Sequence, residues 1–164
     1  MALHMEGRPH SASRHQVRQV SGMWGKRLKA LIENWCLLVD EEFLLDCFRN
    51  RPGEQRFIGE HFGKYLDGVI AANVWEAHPE LDKKIKYLVE EFVKTQEEDG
   101  YIGTYLPETR WQGRPHHLIP IENGWDPWVF KYSILALMHY HRLTGWQPAL
   151  DVSKKAVDLL AKGF

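Results

Sequence analysis

Two stretches decide the fold: "GKYLDGVIAANVWEAHPELDKKIKYLVEEF" (63–92) and "FKYSILALMHYHRLTGWQPALDVSKKAVDLL" (130–160). They align with Lys64-Tyr65 over Lys131-Tyr132. In each, an apolar first segment leads through a short Pro- or Gly-containing turn to an amphipathic second segment bearing Lys-Lys. The period is helical: Phe62, Tyr65, Leu66 and Val69 fall at i, i+3, i+4, i+7. Ile85, Leu88, Val89, Phe92 and Val93 extend the same stripe to i+8. The turns "HPE" and "GWQP" are short enough to fold each pair into an antiparallel helix hairpin.

The same period recurs upstream in Leu28, Leu31, Ile32 and Trp35, and no segment alternates long enough for a strand. Helices are predicted at roughly 25–38, 40–48, 59–76, 80–96, 127–143 and 147–162. The fifth is apolar nearly all round, through Trp128, Val129, Phe130, Tyr132, Ile134, Leu135, Leu137 and Met138, and so has to be covered on every side. Its neighbour at 147–162 and the 80–96 helix each keep one polar face, which puts them outside. An inner and an outer layer of alternating hairpins is the pattern of a helical toroid; an α-solenoid gives a similar one.

Alternation fixes which ends meet. Every inner helix starts at one end of such a structure, and every outer helix finishes there. "GEHFGKY", "GWDPW" and "DGYIGTY" therefore share one mouth, where Glu60, His61, Asp99, Tyr101, Trp111, His116, His117, Trp125, Asp126 and Trp128 are available. Carboxylates beside aromatic faces suit a carbohydrate, whose C–H faces stack on rings while its hydroxyls bond to charged groups. Structural roles compete for the same residues. Asp126 before Pro127 reads as a helix N-cap, Gly100 as a C-cap and, with Gly103, as a turn residue, and Tyr101 and Tyr105 as plugs for the bundle end. Lys64 and Lys131 suit structural ion pairs as well as they suit ligand contacts. His139 and His141, two apart, do not share a helix face and make no zinc site.

The chain has 164 residues, 44% hydrophobic and 26% charged, enough for one domain with its own core. A net charge of −1 gives no footprint for nucleic acid, and no apolar run is long enough to span a membrane. Cys36 and Cys47 have no metal or redox spacing and suit free buried thiols in a reducing, cytoplasmic setting. The first 20 residues, basic and polar, are expected to be a flexible segment, and 21–164 the helical domain.

"GEHFGKYLDGV", "LVEEFVKTQEEDGYIGTY" and "WDPWVFKYSILALMHYHRLTG", with "LLDCFRNRPG" upstream, resemble in that order the N-terminal half of the β-L-arabinofuranosidase-type glycoside hydrolases, family 127 and relatives. The resemblance covers about residues 20–164. It implies an all-α domain of antiparallel hairpins forming part of an (α/α)6 toroid, within a retaining hydrolase of plant-type sugars. It also implies a catalytic cysteine beside a zinc site and a glutamate acid. Those groups come from the family's later half and have no counterpart here, so no metal or cofactor site is expected in this chain. Glu60, His61, Asp99, Tyr101, Trp125 and Asp126 match family motif positions, as substrate contacts or as pocket wall. "WDPWVFKY" departs from better-known members. A full toroid of twelve helices needs well over about 200 residues. The expectation is therefore half a toroid, without a complete catalytic set, that is continued by a C-terminal half or self-associates. A non-catalytic helical binding module and another toroid hydrolase or lyase are the alternatives.

Overall fold

The computed structural model describes residues 20–52, 58–111 and 125–163; the regular elements among them are helices, with no strand. The helices are α1 (Gly22–Leu31), α2 (Glu41–Arg49), α3 (Ile58–Trp75), α4 (Pro79–Val93), α5 (Asp126–Thr144) and α6 (Gln147–Gly163). A π-helical turn, Ile32–Cys36, continues α1, and a short 3-10 turn occupies Pro107–Thr109. The expectations for the first 19 residues and for His116 and His117 fall outside the described residues.

α3 and α5 form the inner pair and run parallel. Glycine is what lets them touch: a Cβ on Gly63 would lie 2.6 Å from the Tyr132 carbonyl carbon and 2.7 Å from the Ser133 nitrogen. One turn earlier, a Cβ on Gly59 would lie 2.8 Å from Val129 Cγ1. α4 returns antiparallel to α3, and α6 antiparallel to α5. The first hairpin is latched by Asn73, whose Nδ2 donates to Asp82 Oδ1 at 2.9 Å while its Oδ1 accepts from the His78 N–H at 2.9 Å. The second turns on Gly145 at φ 72°, whose N–H bonds the His141 carbonyl at 2.7 Å.

α2 begins at Asp40, whose carboxylate accepts from the Glu42 and Phe43 amides at 3.0 and 3.1 Å. It delivers Phe48 into a cluster with Phe62 and Phe92, ring centroids 4.4 to 5.2 Å apart, which joins α2, α3 and α4. The carbonyls freed at the end of the π turn are met by the buried Lys84 ammonium, which donates to Leu37 O at 3.0 Å and to Val39 O and pairs with Glu41 at 2.7 Å.

Two cap readings need correction. Asp126 is the first residue of α5 and makes no cap hydrogen bond; the N-cap is Trp125. Gly100 does not end α4, which stops at Val93 with Lys94 as its cap. Gly100 closes a separate turn, its N–H bonding Glu97 O at 2.9 Å, with φ 99°. A Cβ there would lie 2.6 Å from the Lys155 carbonyl oxygen, so the glycine also admits α6.

Candidate functional site

The mouth assembles as alternation requires. Gly59 at the start of α3 faces both Val129 at the start of α5 and Thr104 in the segment leaving α4, whose Cγ2 would be 2.9 Å from a Cβ on Gly59. "DGYIGTY" is the plug at their centre. Tyr101, Ile102, Thr104 and Tyr105 are buried, which is why the segment is aromatic and not polar.

Asp126 and Tyr101 form its hub. The Tyr101 hydroxyl donates to Asp126 Oδ1 at 2.6 Å and accepts from the Tyr105 N–H at 3.0 Å. Asp126 Oδ2 accepts from the Trp111 N–H at 3.0 Å. Trp111 adopts φ 59°, a left-handed backbone unusual for a bulky residue, and its ring packs edge-on to Tyr101 and Phe130. A Cβ on Gly103 would lie 2.3 Å from the Tyr101 hydroxyl oxygen and 2.7 Å from Asp126 Oδ1, so only glycine leaves room for the pair.

Electrostatics oppose one another at this hub. Burial pushes the Asp126 carboxyl above its ordinary value, against the lowering effect of the Tyr101 and Trp111 hydrogen bonds and of Arg110. Burial, then the Asp126 charge, drives the Tyr101 phenol far upward, so it stays a donor.

Two arginines clamp the loop. The Arg110 guanidinium stacks 3.6 Å from the Tyr101 ring centroid and bonds Glu97 at 2.6 Å. Arg51 reaches Gly103 O at 2.8 Å, Thr95 O at 2.7 Å and the same Glu97 carboxylate oxygen at 2.8 Å. Sequence reading missed Arg51, Glu97 and Arg110. The two ion pairs that join them span 46 and 13 residues, with no local spacing to betray them.

The six motif residues divide in their surroundings. Tyr101 and Asp126 are 0% and 1% exposed and face each other. Asp99 is exposed; its Oδ1 accepts from the Tyr101 N–H at 2.9 Å and its Oδ2 lies 3.6 Å from Arg110. Glu60, 9% exposed, pairs with Lys64 one turn on. His61 is exposed and Trp125 half-buried.

The zinc that the resemblance implies does not fit the residues described. Among them no group of three or more His, Cys, Asp or Glu side chains could hold a metal ion. Cys36 and Cys47 are buried core residues, and burial pushes both thiols up, Cys47 to about 12, away from the thiolate that a metal ligand or nucleophile needs. No step is assigned to either. No helix among the described residues is long and apolar enough to cross a membrane.

Comparison with known proteins agrees with this geometry. A family profile described as "Beta-L-arabinofuranosidase, GH127 catalytic domain" matches residues 15–164. A non-reducing end β-L-arabinofuranosidase of Bifidobacterium longum subsp. longum is 30% identical over 103 residues, 62% of this chain and 16% of the relative. A crystal structure of a GH127 β-L-arabinofuranosidase from Geobacillus stearothermophilus T6 superposes with TM-score 0.66 at 20% identity, covering 89% of this chain and 25% of that one. A second structure, of a GH127 β-arabinofuranosidase, gives 0.62 at 17%, covering 92% and 26%. At these identities the structures establish the fold: the hairpins form part of an (α/α)6 toroid. The chain spans about a sixth to a quarter of the length of these relatives. On the profile match across nearly its whole length, the chain belongs to the β-L-arabinofuranosidase family, glycoside hydrolase family 127.

Proposed function

We propose that residues 21–164 build one wall of the sugar pocket of a glycoside hydrolase acting on β-L-arabinofuranosides, and that this wall positions substrate without supplying the nucleophile or the acid. The supporting observation is the buried Tyr101–Asp126 pair, which ties the loop after α4 to the start of α5 at the end where α3 also begins. Tyr101, Asp99 and Asp126 hold the wall rigid, while Glu60, His61 and Trp125 offer the polar and aromatic contacts. A retaining hydrolase needs its two reacting groups about 5 Å apart across one bond when both are carboxylates. Glu60 is engaged with Lys64, and Asp126 with Tyr101 and Trp111.

The buried free thiols suit a reducing, cytoplasmic compartment. The exposed apolar residues Leu135 of α5, Val157 of α6 and Met23, Trp24 and Leu31 of α1 suit packing against a second copy of the chain. The test is turnover of 4-nitrophenyl β-L-arabinofuranoside together with binding of an arabino-oligosaccharide followed by tryptophan fluorescence. Binding without turnover is expected. Turnover abolished by Glu60→Gln would overturn the division of labour, and loss of all sugar binding would favour a helical interaction module.

A further inference from the structure

We propose that the exposed seam between α3 and α5, centred on Trp128 and Lys131, is a sugar subsite that prefers a carboxylate-bearing residue, a uronic acid, over a neutral one. This rests on the sugar-wall reading above and adds the charge of the ligand to it.

The seam exists because Gly63 lets α3 meet the α5 backbone. That contact brings two ammonium groups onto one ring. Lys64 Nζ and Lys131 Nζ each lie 4.7 Å from the Tyr132 ring centroid, and Lys131 Nζ is also 5.0 Å from that of Trp128. Lys64 sits about 200° around α3 from Phe62, so the seam lies away from α4. Trp128 is 46% exposed and Lys131 is exposed.

The two ammonium groups differ in their partners. Lys64 is paired with Glu60, while the Asp67 carboxylate, one turn further along α3, faces His139 at 2.9 Å. Lys131 has no carboxylate within ion-pair distance among the described residues and is held only over aromatic faces. The N-termini of α3 and α5 lie at the same end and add their partial positive charge. A half-exposed indole beside an uncompensated ammonium offers a stacking face for a sugar ring and a point charge for its carboxylate. A neutral furanose would meet the first and leave the second unused.

The experiment titrates the intrinsic tryptophan fluorescence of the whole chain with α-1,4-trigalacturonate, its methyl ester and arabinotriose, at low ionic strength. The acid is expected to bind about tenfold more tightly than the ester, the worth of one charge-assisted hydrogen bond. Lys131→Met should bring the acid to the ester's affinity, Lys131→Arg should keep the preference, and Trp128→Ala should weaken all ligands. Equal binding of acid and ester, or binding of arabinotriose alone, overturns this inference and leaves the sugar wall standing. Absence of binding by all three overturns both.

Discussion

Tyr101 and Asp126, 25 residues apart in sequence, share a 2.6 Å hydrogen bond from which solvent is excluded. The bond closes a loop whose other anchors are Arg51, Glu97 and Arg110, so its loss should be felt throughout the mouth. Tyr101→Phe leaves the Tyr105 N–H and one Asp126 oxygen without their partner. Its expected cost is about 2 kcal/mol, and that of Asp126→Ala about 2–4 kcal/mol. Urea unfolding followed by near-ultraviolet circular dichroism measures both; a midpoint unchanged by Tyr101→Phe would show that the bond is not formed.

The Asp126 carboxyl gives a pH signature. Its value is raised in the folded chain by burial, so between the unfolded value near 3.8 and the folded one the native state holds more protons than the unfolded. Stability from this group is therefore full below about 3.8 and declines as pH rises through the folded value. Glu42, lowered by Tyr87 and then Arg49, and Glu91, lowered by Lys94, act in the opposite sense and lose their contribution as pH falls. The whole-protein curve mixes these signs, so the measurement is a difference: stability of the native chain minus that of Asp126→Asn, over acidic to neutral pH. It should shrink with rising pH, and a difference that grows would reverse the assignment.

Two glycines of α3 should answer to the same substitution with opposite sign. Gly68→Ala meets nothing within 4 Å and should gain about 0.5–1 kcal/mol from helix propensity alone. Gly63→Ala places a methyl 2.6 Å from α5 backbone and should lose about 1–3 kcal/mol, since backbone has no rotamer to yield. Thermal midpoints of the two variants, compared with the native chain, decide it. Stabilisation by both would mean that α3 and α5 are not in backbone contact.

How far the sequence discloses this molecule depends on the range of the interaction. α3, α4, α5 and α6 are legible because their stripes repeat within a few residues, and the hairpins follow from the brevity of 76–78 and 145–146. The parallel course of α3 and α5 follows from alternation. Asp126 was misread as a cap because local chemistry before proline favours that role, while its actual partners come from Tyr101 and Trp111. Gly100 has the left-handed backbone and the turn role that its sequence suggests, though not the cap of α4, and its second constraint, the Lys155 carbonyl, lies on another helix. The π turn at Ile32–Cys36 has no marker in a sequence whose period suits an ordinary helix, and is defined by bonds such as Leu37 N–H to Ile32 O at 3.0 Å. Arg51 and Arg110 carry no local mark of their shared partner, since Glu97 stands 46 and 13 residues away.

The expectation that α5 must be covered on every side is met only in part. Val129, Phe130, Ala136 and Leu137 are buried, whereas Trp128 and Leu135 stay 46% and 51% exposed, with Val157 of α6 at 48%. The opposite edge shows Met23, Trp24, Leu31, Trp35 and Leu38, each between 45% and 72% exposed. Covering a large apolar side chain is worth about 1.5–3 kcal/mol when complete, so the seven half-exposed ones other than Trp128, which serves the sugar seam, offer on the order of 8 kcal/mol. Association costs about 4–15 kcal/mol in lost freedom, which leaves a weak contact and no tight dimer. The two edges differ, so copies would meet edge to opposite edge, a heterologous contact that can propagate. Sedimentation velocity at about 5 and about 200 µM should show a rise in mean sedimentation coefficient with concentration, at a strength far short of nanomolar. Leu135→Glu should suppress it by setting a charge into the contact, with Lys83→Glu on the outer helix as an indifferent control. An unchanging monomer across that range would mean that the chain covers these edges itself, and the proposed packing between copies would fail.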